Sequence, residues 1–179
     1  WFAGKSVVFD YPAKRMTLGS LPAVSAEHRI PVHFAPDMAY GRISMTVAGE
    51  IVPMLLDTGA TVILTDSALA ALHGDRTRAT SFIIHDVLER WHAAHPEWRV
   101  IEDADQIGKG SRMIEVPAVT IGGYTVGPVW FTERPDQAFH TWMAQWMDQP
   151  TDGALGGDAF RTLRVGVDWT AGTATFERQ

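Results

Sequence analysis

The sequence predicts a mainly β domain with two or three inserted helices. Short apolar, β-branched runs recur along most of the 179 residues, each bounded by Gly, Pro or Asp. Only two long stretches carry the 3.6-residue apolar spacing of a helix. Hydrophobic residues make up 46% and charged residues 20%, an ordinary globular composition. The length suits one domain with its own core. The net charge is 15 − 21 = −6, with no basic stripe, which argues against nucleic acid as a partner. No apolar run approaches the roughly 18–20 residues of a membrane helix, so no span is expected. With no cysteine, disulfide scaffolds, thiol catalysis and Cys-based zinc sites are excluded.

The elements follow in order. Residues 6–18 hold two β-type runs around Pro12-Ala13-Lys14-Arg15. Residues 163–177 repeat that plan, with Asp168-Trp169 matching Asp10-Tyr11 and Val165-Gly166-Val167 matching Val7-Val8-Phe9. Residues 28–34 and 42–47 read as strands, followed by turns at Pro36-Asp37 and Gly49-Glu50. Residues 51–56 form a third run that stops at Asp57-Thr58-Gly59, and residues 61–64 resume it. Residues 66–72 form a short helix, with Thr65 or Asp66 as N-cap and Gly74 closing it.

Residues 81–95 carry apolar side chains at Ile83, Ile84, Val87, Leu88 and Trp91, and Pro96 stops the helix this predicts. Residues 106–112 are a Gly-containing tip between two β-like stretches. Residues 116–121 and 124–131 form a hairpin around Gly122-Gly123. Residues 139–147 predict an aromatic and Met-rich helix, whose stripe of Phe139, Trp142, Met143, Trp146 and Met147 reads as a core face. Residues 153–157 are a Gly-rich break, and 158–163 a short helix capped by Asp158.

The chemistry concentrates at Leu55-Leu56-Asp57-Thr58-Gly59-Ala60. An apolar strand runs into an acid at a loop, where catalytic groups often sit. Gly59 lets another chain approach closely. Thr58 offers a hydroxyl for loop-to-loop bonding, and Ala60 leaves room beside the acid. These are the needs of two loops that bring two aspartates together. Histidines 85, 92 and 95 share one side of the predicted helix but lack an accompanying carboxylate pattern, so no metal is expected. The run around Lys109 lacks phosphate-loop order, and no serine sits in a nucleophile elbow.

The segment from Leu55 to Ala60 resembles the catalytic segment of the retropepsin-like aspartic proteases. The family's second landmark, apolar-apolar-Gly before a short helix, is matched by Ala154-Leu155-Gly156. The two lie about 97 residues apart, Asp57 to Ala154, longer than in compact viral members. The insertions at 81–95 and 139–147 account for the difference. The resemblance covers roughly residues 29–176 and is nearest to bacterial members with such insertions. It implies a closed-barrel acid-protease lobe and an aspartic endopeptidase, a hydrolase of peptide or protein substrates, with Asp57 catalytic and Thr58, Gly59 and Ala60 shaping its loop. It implies no cofactor. A flap is also implied, with Gly108, Lys109 and Gly110 as its candidate tip and the 139–147 helix as the alternative cover.

One departure matters. There is a single Asp-Thr-Gly, and Asp152 in Thr151-Asp152-Gly153 reads as a turn residue. The second aspartate would come from Asp57 of an identical chain in a dimer, or from a preceding lobe of the same precursor. A non-catalytic binding or structural lobe of the same fold is the competing expectation. The chain begins at Trp1, which suggests a processed product or a fragment and an extracytoplasmic (periplasmic or secreted) location. Residues 1–20 then read as the closing hairpin of a preceding lobe, and residues 21–179 as a single lobe.

Overall fold

The computed structural model describes residues 5–179; residues 1–4 of the predicted 1–20 segment lie outside the described residues. The first elements are the hairpin β1 (Ser6–Asp10) and β2 (Arg15–Leu18), followed by β3 (Arg29–Pro31). Next come the hairpin β4 (Arg42–Val47) and β5 (Glu50–Leu56), β6 (Thr61–Ile63), α1 (Asp66–Leu72) and β7 (Thr77–Ala79). Then follow β8 (Ser81–Ile84), α2 (His85–Ala94), β9 (Val100–Ile101), β10 (Met113–Val116), β11 (Val119–Ile121), β12 (Tyr124–Val126) and β13 (Val129–Arg134). The last elements are β14 (Gly153–Leu155), β15 (Leu163–Asp168) and β16 (Thr173–Arg178).

The protein is mainly β, at 41% strand against 18% helix. A nine-stranded sheet runs β12-β11-β4-β5-β14-β8-β13-β10-β9, a five-stranded sheet runs β2-β1-β15-β16-β3, and β6 pairs with β7. None closes into a barrel, contrary to the closed lobe expected. The large sheet keeps free edges at β12 and β9, because those short strands pair on one side only.

Side chains of both larger sheets meet in one core that contains Phe131, Phe160 and Phe176, all fully buried. Each such ring contributes about 1.5–3 kcal/mol of burial. Trp91 joins α2 to this core edge-on against Phe131, at 5.4 Å between ring centres. A smaller cluster of Val62, Leu64, Ala68, Ile101, Ala104 and Met113 lies beneath α1. Thr65 caps α1 as expected, its Oγ1 accepting from Ala68 N at 3.3 Å.

Several predicted elements change character. Residues 81–84 are strand, because their backbone is claimed by β13 in parallel and β14 antiparallel, and helix starts only at His85. The 139–147 segment is a π-helical turn (Ala138–Trp142) running into a 3-10 turn (Met143–Trp146). Its irregular winding splits the stripe: Phe139 and Met147 are buried, whereas Trp142 is 68% exposed. The Gly-rich break is the buried strand β14. Residues 158–162 form successive tight turns in place of the helix expected over 158–163, closed by Leu163 N donating to Phe160 O at 2.7 Å.

The two similar hairpins are neighbours in space. β1 pairs antiparallel with β15, with Val8 opposite Gly166 and Ser6 opposite Asp168. Their turns share one conformation. Asp10 Oδ1 accepts from Ala13 N at 3.1 Å, and Asp168 Oδ1 accepts from Ala171 N at 2.8 Å. The next residue is left-handed in both, Lys14 at φ 50° and Gly172 at φ 60°. A local two-fold near Val8 and Gly166 therefore relates the hairpins.

Candidate active site

β5 ends at Leu56 and delivers Asp57 to a tight turn. Ala60 N donates to Asp57 O at 3.3 Å, and Gly59 N donates to the Asp57 carboxylate at 3.1 Å. Asp57 is half-buried. Burial pushes its carboxyl above the ordinary value, and the Gly59 hydrogen bond opposes this more weakly. The Thr58 hydroxyl has no hydrogen-bond partner among the described residues.

The two sequence motifs meet here. β14 runs parallel to β5, with Leu155 opposite Leu56, and Asp57 N donates to Leu155 O at 3.0 Å. Gly156 follows immediately beneath the Asp57 loop. A Cβ at Gly156 would lie 1.8 Å from Thr80 O and 2.8 Å from the Ala60 methyl. Glycine at 156 and alanine at 60 are thus one packing requirement: two backbones crossing at close range.

Three residues of this site carry no motif in the sequence. Tyr11 reaches from the first hairpin and donates its hydroxyl to Thr58 O at 3.0 Å. Burial, helped by the neighbouring Asp57 charge, pushes its phenol well above the usual range. Ser81 accepts from Gly156 N at 3.0 Å and donates to Asp158 at 2.8 Å. The other Asp158 oxygen accepts from Trp130 N at 2.8 Å. The only available sign for Tyr11 is its match to Trp169. Asp158 reads in the sequence only as a cap, and its pairing with Ser81, 77 positions away, leaves no sign.

Burial pushes the Asp158 carboxyl up to about 6, with the Ser81 and Trp130 hydrogen bonds opposing. A raised carboxyl favours the folded state when protonated. Its contribution is complete below the ordinary value of 3.8 and is lost as pH rises through about 6. The Ser81 hydroxyl can reverse and accept from the neutral acid. Chemical denaturation should therefore show about 3 kcal/mol falling away across that window. Asp158→Asn should flatten that slope. A slope unchanged by the substitution would locate the titration elsewhere.

The residues flanking Gly108, Lys109 and Gly110 are held on both sides of the loop. Gln106 N donates to Ile63 O, and Asp105 pairs with Arg134 at 2.8 Å. Arg112 pairs with Glu133 at 2.7 Å, and Glu133 also holds His85 Nδ1 at 2.6 Å. Glu133 and Arg134 lie at the C-terminal end of β13, whereas Ile63 lies at the end of β6, the strand that follows the Asp57 loop. The aromatic segment is linked to the site through Tyr40. Trp146 packs on Tyr40, which precedes Gly41, and Gly41 O accepts from Leu56 N at 2.9 Å.

Asp152 lies at the start of β14, away from Asp57, and its carboxylate binds His140 Nε2 at 2.9 Å. Among the described residues, no group of three or more His, Cys, Asp or Glu is placed to hold a metal. His85 is engaged by Glu133, and His95 stacks on Trp98 at 4.2 Å. Among the described residues, no helix is long and apolar enough to cross a membrane. No family model matches the chain, and no curated protein matches it in sequence.

Proposed function

We propose that this chain is one lobe of a retropepsin-like aspartic endopeptidase, with Asp57 as one of two catalytic carboxylates. The observation that carries the reading is the parallel pairing of Leu155 with Leu56, which seats the second motif directly beneath the aspartate loop. Two carboxylates about 3 Å apart would share one proton, because they cannot both ionise easily. One would take a proton from a bridging water as it attacks the scissile carbonyl carbon. The other would donate a proton to the carbonyl oxygen. The pair would titrate as a unit, and activity would favour acidic pH. No metal, cofactor or covalent intermediate enters these steps.

Gly59 supports a partner loop. Its φ is not left-handed, and an added Cβ would meet only Asp57 Oδ1, at an ordinary 3.8 Å. The lobe itself does not require glycine there, whereas a second loop crossing closely would. The unpartnered Thr58 hydroxyl fits the same need.

The local two-fold bears on where that loop comes from. On a dimer axis coincident with that two-fold, a second copy's β15–β16 hairpin would meet the chain's own β1–β2 hairpin. A preceding lobe of the same precursor, ending in this hairpin, supplies the second aspartate without displacing it. An extracytoplasmic location remains part of this reading.

A non-catalytic binding or structural lobe is the second reading, favoured by one observation. Asp57 has no carboxylate partner among the described residues. Sedimentation at micromolar concentration, read with a peptide-cleavage assay at acidic pH, separates the cases. An inactive monomer is the expected result and fits half an active site. An active dimer would assign the second aspartate to an identical chain. A fully active monomer would overturn the two-aspartate reading.

A further inference from the structure

Tyr11, directly after β1, touches both motifs of the site. Its hydroxyl donates to Thr58 O at 3.0 Å. Its ring lies 5.6 Å, centre to centre, from that of Phe160 in the turns that follow Gly156. Gly157 makes that seat, since a Cβ there would come 2.9 Å from Tyr11 Cε1. The side chain is wedged with its polar end on the Asp57 loop and its ring on the turns after β14.

The carbonyl it holds belongs to a particular peptide unit. Thr58 C=O and Gly59 N–H are the two ends of one rigid plane. The Gly59 end donates to the Asp57 carboxylate at 3.1 Å, while the Thr58 end accepts from Tyr11. A hydrogen bond at one end of an amide polarises and orients the other. The local two-fold gives a contrast. Trp169, the mate of Tyr11, donates its indole N–H to Ala39 O at 3.1 Å. Of the two aromatic donors, it is Tyr11 that acts on the residue next to Asp57.

We propose that Tyr11 is a positioning residue for Asp57, its hydroxyl clamping the Thr58–Gly59 peptide so that the Gly59 N–H stays aimed at the aspartate. The catalytic meaning rests on the aspartic endopeptidase reading. On that reading the hairpin belongs to the preceding lobe, so the clamp reaches from one lobe to the other's aspartate loop.

The test follows the Asp57 carboxyl carbon and the Gly59 amide proton by NMR as pH is varied, in the parent chain and in Tyr11→Phe. The phenyl ring keeps its place on Phe160 and Gly157, so the burial that raises Asp57 is retained. The Gly59 hydrogen bond, which opposes that rise, should weaken. The Asp57 carboxyl should therefore titrate higher than in the parent, and the response of the Gly59 amide to that titration should shrink. The other titratable groups nearby are Asp158, behind Gly156, and Asp10, Lys14 and Arg15, which line the space beside Thr58. Asp158 is read separately by its own carboxyl carbon. Thr65→Ala, which removes a comparable hydrogen bond outside the loop, should change neither signal.

An unmoved Asp57 titration in Tyr11→Phe, or an equal change in Thr65→Ala, would overturn the clamp. A lowered Asp57 carboxyl would overturn it too, since it would show the hydroxyl acting only to exclude water. Neither readout needs cleavage. Cleavage that ignores Asp57→Asn would remove the mechanism and leave the clamp, whereas an unmoved titration would remove the clamp and leave the mechanism.

Discussion

Asp57→Asn should abolish acid proteolysis in the proposed two-aspartate assembly, by about 10³-fold or more in kcat. The amide cannot take a proton from water, and it cannot share one with a second carboxylate. Binding should survive, because the peptide contacts outside the dyad are untouched, so KM should change little. The fold should survive too. The Asp57 carboxyl is raised by burial, so its charged form works against the folded state above that raised value. A neutral amide removes this penalty. The variant should melt no lower than the parent at neutral pH, and the two should converge as acid protonates the parent. Peptide cleavage and thermal melting read both effects. Cleavage unchanged by the substitution would remove Asp57 from the mechanism.

Gly156→Ala should give the largest loss of stability of any single substitution at this site, about 3 kcal/mol or more. The new methyl would lie 1.8 Å from Thr80 O and 2.8 Å from Ala60 Cβ. The first of these atoms is backbone, so no rotamer change relieves the contact. Either β14 leaves β5 or the segment at Thr80 moves. Both break the support under Asp57, through Leu155 O on one side and Ser81 Oγ on the other. Denaturant titration would show the loss. A near-neutral result would mean that the two backbones do not cross at close range.

Gly59→Ala is the informative contrast. The lobe has room for the methyl, so its stability should stay within about 0.5 kcal/mol of the parent. A loss of activity on assembly, without a loss of stability in the lobe, would show that Gly59 serves the second loop.

Much of the architecture could be read locally. The 42–47 and 51–56 runs became β4 and β5, because alternating apolar residues and a Gly turn specify a hairpin from neighbours in sequence. The Thr65 cap likewise needs only residues three positions away. The likeness of the two end hairpins was visible in Asp10-Tyr11 and Asp168-Trp169, although their mutual pairing was not.

The departures from expectation share a cause. Gly153-Ala154-Leu155 has no alternation and reads as a break, yet it is a buried strand because β5 and β8 flank it. Residues 81–84 continue the apolar spacing of α2, but the β13 and β14 backbones claim them first. The aromatic segment has regular spacing and irregular winding, so its tryptophans do not share the predicted face. In each case tertiary pairing overrode a local pattern.

Composition, the hairpins and the Asp57 loop were determined by the sequence alone, since propensity and turn chemistry act over a few residues. The mainly β class followed from them. Only the tertiary structure decided that Leu155 lies beside Leu56, that Ser81 and Asp158 brace Gly156, and that Tyr11 holds Thr58. It also decided that the residues flanking the Gly108–Gly110 loop are held by ion pairs, Asp105 with Arg134 and Arg112 with Glu133. These contacts join residues distant in sequence. Their partners are chosen by how the sheets stack, which no local pattern encodes.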